Sequence, residues 1–321
     1  MIKPISAPLH MTINITGTCD LDCIYCYAQP FNLQSIPIEK LITILDEARA
    51  LGIFVIKIAG GEPLLHPKFS MLLDYIVKNK LPIAILTNLT AKERIIRKLA
   101  KVGRENRYIS IQASLDSVDE PINAQTRGKC EVVKKNINIM LEHEIDLQIA
   151  CVVTKHNLNS ALDIIDFYYP RIRKFHFMNL MPTLKIRAAN NFFDLAPSPI
   201  ELRKFWASVS KRKSELGSDI QLTEEQGSKI TNGCSQECQY QGCSAGITFC
   251  EIDSNLDILA CNISKSFVMG NLKDSSFEEI WHSKKAEAIR SIPVPLCHTY
   301  LMNNSPFLHL ESINKRSFTR E

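Results

Sequence analysis

The sequence predicts an α/β fold: a partial (β/α)6 TIM-like barrel with a smaller cysteine-rich C-terminal domain. Three observations carry the prediction. Short β-branched runs alternate with longer stretches whose apolar residues recur at helical spacing, the pattern of repeated βα units on a parallel sheet. Pro182, Pro197 and Pro199 interrupt this alternation after the sixth unit. Beyond them, six of the eleven cysteines fall after residue 230.

In chain order, Met11 to Thr16, Phe54 to Ala59, Ile83 to Thr87, Tyr108 to Ala113, Leu147 to Val153 and Phe175 to Leu180 are the predicted strands. Ile38 to Leu51, Lys68 to Asn79, Ala91 to Val102, Glu131 to Glu142 and Leu158 to Tyr169 are the helices between them. Six units make an open barrel, and in parallel barrels the chemistry sits where strands end and βα loops begin. After the prolines, a helix from Ile200 to Leu216 leads to a hairpin, Ile247 to Ile252 and Leu256 to Ala260, around Asp253, Ser254 and Asn255. A last helix starts at Phe277, with Ser275 or Ser276 as its cap and Glu278 or Glu279 closing a capping box. The expected division is a barrel core over 1–182, a linker and helix over 183–230, and the cysteine-rich domain over 231–321.

A chain of 321 residues with 45% apolar content buries a large core. Its net charge of +4 comes without a basic block or an aromatic-interleaved basic stripe, so nucleic-acid binding has no compositional support. No stretch has the apolar length of a membrane span or the layout of a signal peptide, and the expected compartment is the cytoplasm. In a reducing compartment, many cysteines in a long chain point to metal ligation or redox chemistry rather than to disulfides.

Cys19, Cys23 and Cys26 stand in CDLDCIYC just past the first strand. Three thiolates at this spacing wrap one iron–sulfur cubane and leave one iron without a protein ligand. A structural zinc site closes with a fourth Cys or His at short spacing, and the neighbouring residues offer none. Gly60-Gly61-Glu62-Pro63 follows the second strand; two glycines let the backbone approach a ligand, and a carboxylate accepts hydrogen bonds from an ammonium group. Taken alone, a Gly-Gly turn is an ordinary strand-to-loop bend.

CxxxCxxC after the first strand, with Tyr25 directly before Cys26, resembles the radical S-adenosylmethionine (radical SAM) superfamily. The resemblance implies a [4Fe–4S] cluster whose open iron binds the amino and carboxylate groups of S-adenosylmethionine. Reductive cleavage of that cofactor then gives a 5′-deoxyadenosyl radical that abstracts a hydrogen atom from substrate. It also implies that Tyr25 lies against the adenine and that Gly60, Gly61 and Glu62 hold the cofactor's amino group. QASLD at the end of the fourth strand, followed by Arg127-Gly128, looks like the pattern of the peptide-modifying branch, with Ser114 and Arg127 on the cofactor carboxylate. Leu180 is a candidate adenine contact or simply core. Leu89 in LTNLT stands where the family has glycine.

Cys243-Ser244-Ala245-Gly246, Glu251-Ile252-Asp253, Cys261, Gly270-Asn271-Leu272 and SFEEIWHS resemble a shortened SPASM domain, the extension that carries auxiliary iron–sulfur clusters. Leu256 replaces a turn glycine, and the later cysteine run is reduced to Cys297. The resemblance implies one auxiliary [4Fe–4S] cluster on Cys243, Cys261, Cys297 and a fourth ligand. Cys238 is the first choice, because CQYQGC puts two thiols on one tight loop, with Cys234 and Cys250 as alternatives. Cys250 is equally a candidate redox thiol or a buried apolar residue, and Cys151, if it faces the barrel interior, a hydrogen-atom donor. His66 and His156 lie on loops at the expected active face, and His176 lines the barrel.

The expected activity is hydrogen-atom abstraction from a ribosomal peptide or protein side chain, leading to a crosslink, epimerisation or oxidation. The rival is radical oxidation or rearrangement of a small molecule such as a sugar, nucleoside or tetrapyrrole. The expected partners are the substrate and a reducing donor such as flavodoxin or ferredoxin; because the chain begins directly at its first strand, either a separate peptide-recognition protein or direct leader binding is expected.

Overall fold

The computed structural model describes residues 5–28, 32–217, 220–224, 244–263 and 265–291. Elements follow in the order β1 (His10–Asn14), α1 (Ile38–Ala50), β2 (Val55–Ala59), α2 (Phe69–Lys78), β3 (Ile83–Thr87), α3 (Glu93–Glu105), β4 (Ile109–Ser114), α4 (Glu120–Ala124), α5 (Cys130–Glu142), β5 (Leu147–Val153), α6 (Asp163–Tyr168), β6 (Lys174–Asn179), α7 (Leu184–Ala189), α8 (Phe192–Leu195) and α9 (Pro199–Leu216). After these come β7 (Gln221–Glu224), β8 (Phe249–Ile252), β9 (Asp257–Leu259), β10 (Val268–Asn271), α10 (Phe277–Trp281) and α11 (Lys284–Arg290).

All six predicted barrel strands are present and pair in parallel in chain order. Alternation decides which way each side chain faces. In β1, Met11 and Ile13 belong to the apolar core beneath the helices, and Thr12 and Asn14 occupy the opposite face. The same phase puts Ile56 and Ile58 of β2, Ile149 and Cys151 of β5, and Phe175 and Phe177 of β6 in that core. Cys151 therefore points towards the helices, which corrects the expectation that it faces the barrel interior. Its sulfur accepts from Asn157 Nδ2 at 3.4 Å, and burial pushes its thiol well above the ordinary range.

The predicted hairpin does not form a separate layer. β8 pairs in parallel with β1, and the described residues form one ten-stranded sheet ordered β10-β9-β8-β1-β2-β3-β4-β5-β6-β7. Its register sets Met11 beside Cys250 and Thr12 beside Glu251. Cys250 thus joins the apolar core and Glu251 the opposite face. β7, which pairs with β6, is too short and too polar for periodicity to reveal. The predicted capping box resolves to Ser276 and Glu279, and the helix it starts buries Phe277, Ile280 and Trp281.

Two departures from the glycine pattern have one physical account. Leu89 (φ 56°) and Leu256 (φ 73°) both adopt the left-handed conformation that glycine adopts freely. Both side chains are buried in the core. The backbone strain costs about 1–2 kcal/mol, whereas emptying a buried leucine site costs about 2–5 kcal/mol. Leu256→Gly is therefore expected to destabilise the chain by about 1–3 kcal/mol in urea unfolding, although it relieves the strain. An unchanged or raised midpoint would show that strain dominates.

Candidate active site

The loop after β1 carries the thiols of Cys19, Cys23 and Cys26. It is held on several sides. Ile24 N donates to Thr126 O (3.0 Å), Lys185 Nζ donates to Cys23 O (3.0 Å) and pairs with Asp22 (2.7 Å), and Lys129 pairs with Asp20 (2.8 Å). Two donors address the sulfurs themselves: Asn88 Nδ2 lies 3.8 Å from Cys19 Sγ, and Arg127 Nη1 lies 3.9 Å from Cys23 Sγ. Such N–H···S contacts favour thiolates. Burial opposes them, pushing Cys19 to about 12 and Cys23 upward, so the thiolate form needs a bound cation.

The spread of the three sulfurs suits a cluster better than a single zinc ion. Among the described residues, the three-ligand grouping within 4.8 Å is Glu120, Cys130 and Glu131, not the cysteine triad. Zinc–sulfur bonds of about 2.3 Å would draw three sulfurs closer than this. A cubane, whose corners are spread across several ångströms, suits the wider triad.

The GGEP turn is built against this loop. Gly61 N donates to Thr16 O and Glu62 N to Thr18 O, each at 2.8 Å. A Cβ on Gly60, whose φ is 149°, would lie 2.4 Å from Thr16 O, and one on Gly61 would lie 2.3 Å from Thr18 O. Both glycines are therefore required by the chain's own backbone, quite apart from any ligand. Glu62 is buried; its Oε1 accepts from Thr87 Oγ1 (2.6 Å) and Leu64 N (3.0 Å), and its Oε2 accepts from Asn88 N (2.7 Å). Burial raises its carboxyl to about 7, against the pull of these donors.

On the other side, Asp116 is fully buried and pairs with Arg127 (Nε to Oδ1, 3.1 Å). Val152 N donates to Asp116 Oδ1 (3.0 Å), and the Tyr25 hydroxyl donates to Oδ2. The Arg127 guanidinium sits 5.3 Å from the centre of the Tyr25 ring. Asp116 thus joins the strand end, the cluster loop and the arginine. Sequence reading left it without a role, although its signal, an acid closing an apolar strand in SLD, was visible. Ser114 is half-buried at the end of β4, and Leu180 packs with Leu21 and Tyr25 in a second apolar cluster. His66 bonds Ile36 O and accepts from Lys68 N, a structural role. Cys234, Cys238, Cys243 and Cys297 lie outside the described residues; Cys261 is buried just past β9.

A cavity opens beside the GGEP turn, lined by Gly60, Gly61, Asn14, Asn32, Asp253 and Lys265 among others. Behind it, Glu251 accepts from Asn14 Nδ2 (2.7 Å) through Oε1, and its buried Oε2 has no hydrogen-bond partner. Burial raises this carboxyl to about 8, more than Lys265 and Asn14 lower it. An unfolded glutamate loses its proton near pH 4.3, so the folded chain holds one proton more over the interval between. Stability is expected to fall as pH rises from about 5 to about 8, by at most about 1.4 kcal/mol per unit from this group. Glu251→Gln should flatten that slope in urea titrations; an unchanged slope would refute the assignment.

Comparison with known proteins agrees with this geometry. Residues 13–168 match the radical SAM superfamily, and residues 243–299 match SPASM, an iron–sulfur cluster-binding domain. The mycofactocin maturase MftC of Mycolicibacterium smegmatis is 26% identical over 300 residues, covering 90% of this chain and 74% of that protein. The subtilosin biosynthesis protein AlbA of Bacillus subtilis is 31% identical over 156 residues, covering 47% of this chain and 34% of its own. The AdoMet-dependent heme synthase of Methanosarcina barkeri is 23% identical over 316 residues, covering 92% and 87%. Among solved structures, Streptococcus suis SuiB bound to its precursor peptide SuiA shares the fold with a TM-score of 0.75 at 21% identity, covering 90% of this chain and 68% of SuiB. The two matched domains imply a [4Fe–4S] cluster, S-adenosylmethionine and an auxiliary cluster, and no helix among the described residues is long and apolar enough to cross a membrane. With three thiols, a glycine turn and a buried arginine–aspartate pair gathered around one loop, this chain carries a radical SAM domain and a SPASM domain and is a radical SAM enzyme.

Proposed function

We propose that this enzyme modifies a ribosomal peptide or protein side chain by crosslinking, epimerisation or oxidation. The observation that carries the proposal is the similarity to a maturase along 90% of the chain, joined by the match to a bacteriocin-biosynthesis protein over 47% of it. Cys19, Cys23 and Cys26 would hold the catalytic cluster, and Gly60, Gly61, Glu62, Tyr25, Ser114, Arg127 and Leu180 would surround S-adenosylmethionine. Cys243, Cys261, Cys297 and Cys238 would hold the auxiliary cluster, in a domain over 231–321 joined to the 1–182 core by the 183–230 segment. When bound, cluster and cofactor supply hydrogen-atom abstraction from unactivated carbon.

The chain's own residues prepare that event. Arg127 brings a permanent positive charge to the loop and to the cofactor carboxylate, held in place by Asp116. The flush glycines leave the cavity floor free of side chains, so a ligand backbone or ammonium can approach. A flavodoxin or ferredoxin would supply the electron.

A second reading is favoured by the heme synthase relative, which this chain matches over 92% of its length: radical chemistry on a small molecule such as a tetrapyrrole. The test is anaerobic reconstitution with iron, sulfide, reductant and S-adenosylmethionine, followed by incubation with a short peptide encoded beside the gene. 5′-Deoxyadenosine formed together with a change in peptide mass is the expected result. 5′-Deoxyadenosine formed while every peptide stays unchanged and a tetrapyrrole is consumed would establish the second reading.

A further inference from the structure

The inner face of the barrel is polar, and one of its charges has no counterpart. The phase that sends Ile56 and Ile58 into the core turns Lys57 inward, half-buried. In register, Lys57 stands between Thr12 and Ala84, and Ala84 beside Ser110. The two side chains next in that row, Ala84 and Ser110, are small and uncharged. Lys57 lies one inward-facing step, about 7 Å along the strand, below Ala59 and the Gly60-Gly61 turn.

Its reach crosses the barrel. Burial first, and then the charge of Lys57, hold His10 on β1 and His176 on β6 below the usual histidine range. Both neighbouring rings are therefore neutral near pH 7 and offer the ammonium no compensation. Among the described residues Lys57 enters no ion pair. The carboxylate in its row, Glu251, is two strands away, about 10 Å, bonded to Asn14 and nearer Lys265. A half-buried ammonium without a counter-charge on the chain is available to a ligand that carries one.

We propose that Lys57 is a specificity-determining residue that receives a carboxylate of the substrate inside the barrel, one layer below the cofactor turn. On the peptide reading given above, from which this inference takes its substrate class, the carboxylate belongs to an acidic residue at or next to the modified position. His176 and Gln112, also on inward-facing positions, complete the polar wall.

The probes are two capped tripeptides, acetyl-Ala-Glu-Ala-amide and acetyl-Ala-Gln-Ala-amide, with glutarate as a free dicarboxylate, titrated calorimetrically into the full chain and into Lys57→Met and Lys57→Arg. The expected result is about tenfold tighter binding of the glutamate peptide than of the glutamine peptide, one charge-assisted contact. Lys57→Met should erase that preference, and Lys57→Arg should keep it. A histidine titration by NMR provides a readout that misfolding cannot imitate: His176 should move upward in Lys57→Met while the remaining spectrum stays in place. Equal binding of the two peptides with no Lys57-dependent glutarate binding overturns the proposal, as does a preference that survives in Lys57→Met. Lys57-dependent binding of glutarate without binding of either peptide upholds the anion site and overturns the peptide reading.

Discussion

Replacing Cys19, Cys23 and Cys26 together by alanine is expected to remove about four irons per chain and to lower 5′-deoxyadenosine formation by more than about a thousandfold. The loop itself should keep its place, because its anchors are Lys185 on Asp22 and Cys23 O, Lys129 on Asp20, and the Ile24–Thr126 backbone bond, none of which uses a thiol. The check is iron content and product formation on protein reconstituted anaerobically beside the native chain. Iron that persists at about four per chain in the triple variant reports the auxiliary cluster. Unchanged product formation would remove the triad from the mechanism.

The second large effect is expected at Asp116. Asp116→Ala leaves Arg127, whose side chain is 11% exposed, without its carboxylate, and frees the Tyr25 hydroxyl and Val152 N. Stranding a buried charge in this way costs about 3–5 kcal/mol. For a chain of this size that corresponds to a loss of roughly 4–7 °C in melting temperature. Removing the charge as well, in Asp116→Ala/Arg127→Met, should recover part of the stability but none of the activity. That difference separates folding from catalysis: stability returns once no charge is buried unpaired, whereas the guanidinium proposed to receive the cofactor carboxylate is still missing. A double variant as unstable as the single one would show that the ion pair is not what Asp116 provides.

Much of the site was readable because it is local in sequence. CxxxCxxC and GGEP each place their chemistry within a few residues, and strand periodicity located the ends of β1 and β2, where the motifs begin. What the motifs did not reveal is contact between them. Gly60 and Gly61 were legible as residues that admit a ligand, and the structure shows that they first admit Thr16 and Thr18 of the cluster loop. Asp116 accepts from Tyr25, 91 residues away in the chain, a relation that no spacing rule expresses.

By itself, the sequence determined the βα alternation, the three thiols and the turn chemistry, because those depend on side-chain period and on neighbours a few bonds away. Facing and adjacency were decided by the tertiary structure. A strand's two faces look alike until a partner strand fixes its register. Only the pairing of β8 with β1 shows that Cys250 enters the apolar core and Glu251 the polar face. Likewise, Lys57 is an ordinary lysine in KIAGGEP until the sheet curls and brings His176 within reach of its charge. Long-range contacts carry no local signature, because they form only when the whole sheet closes.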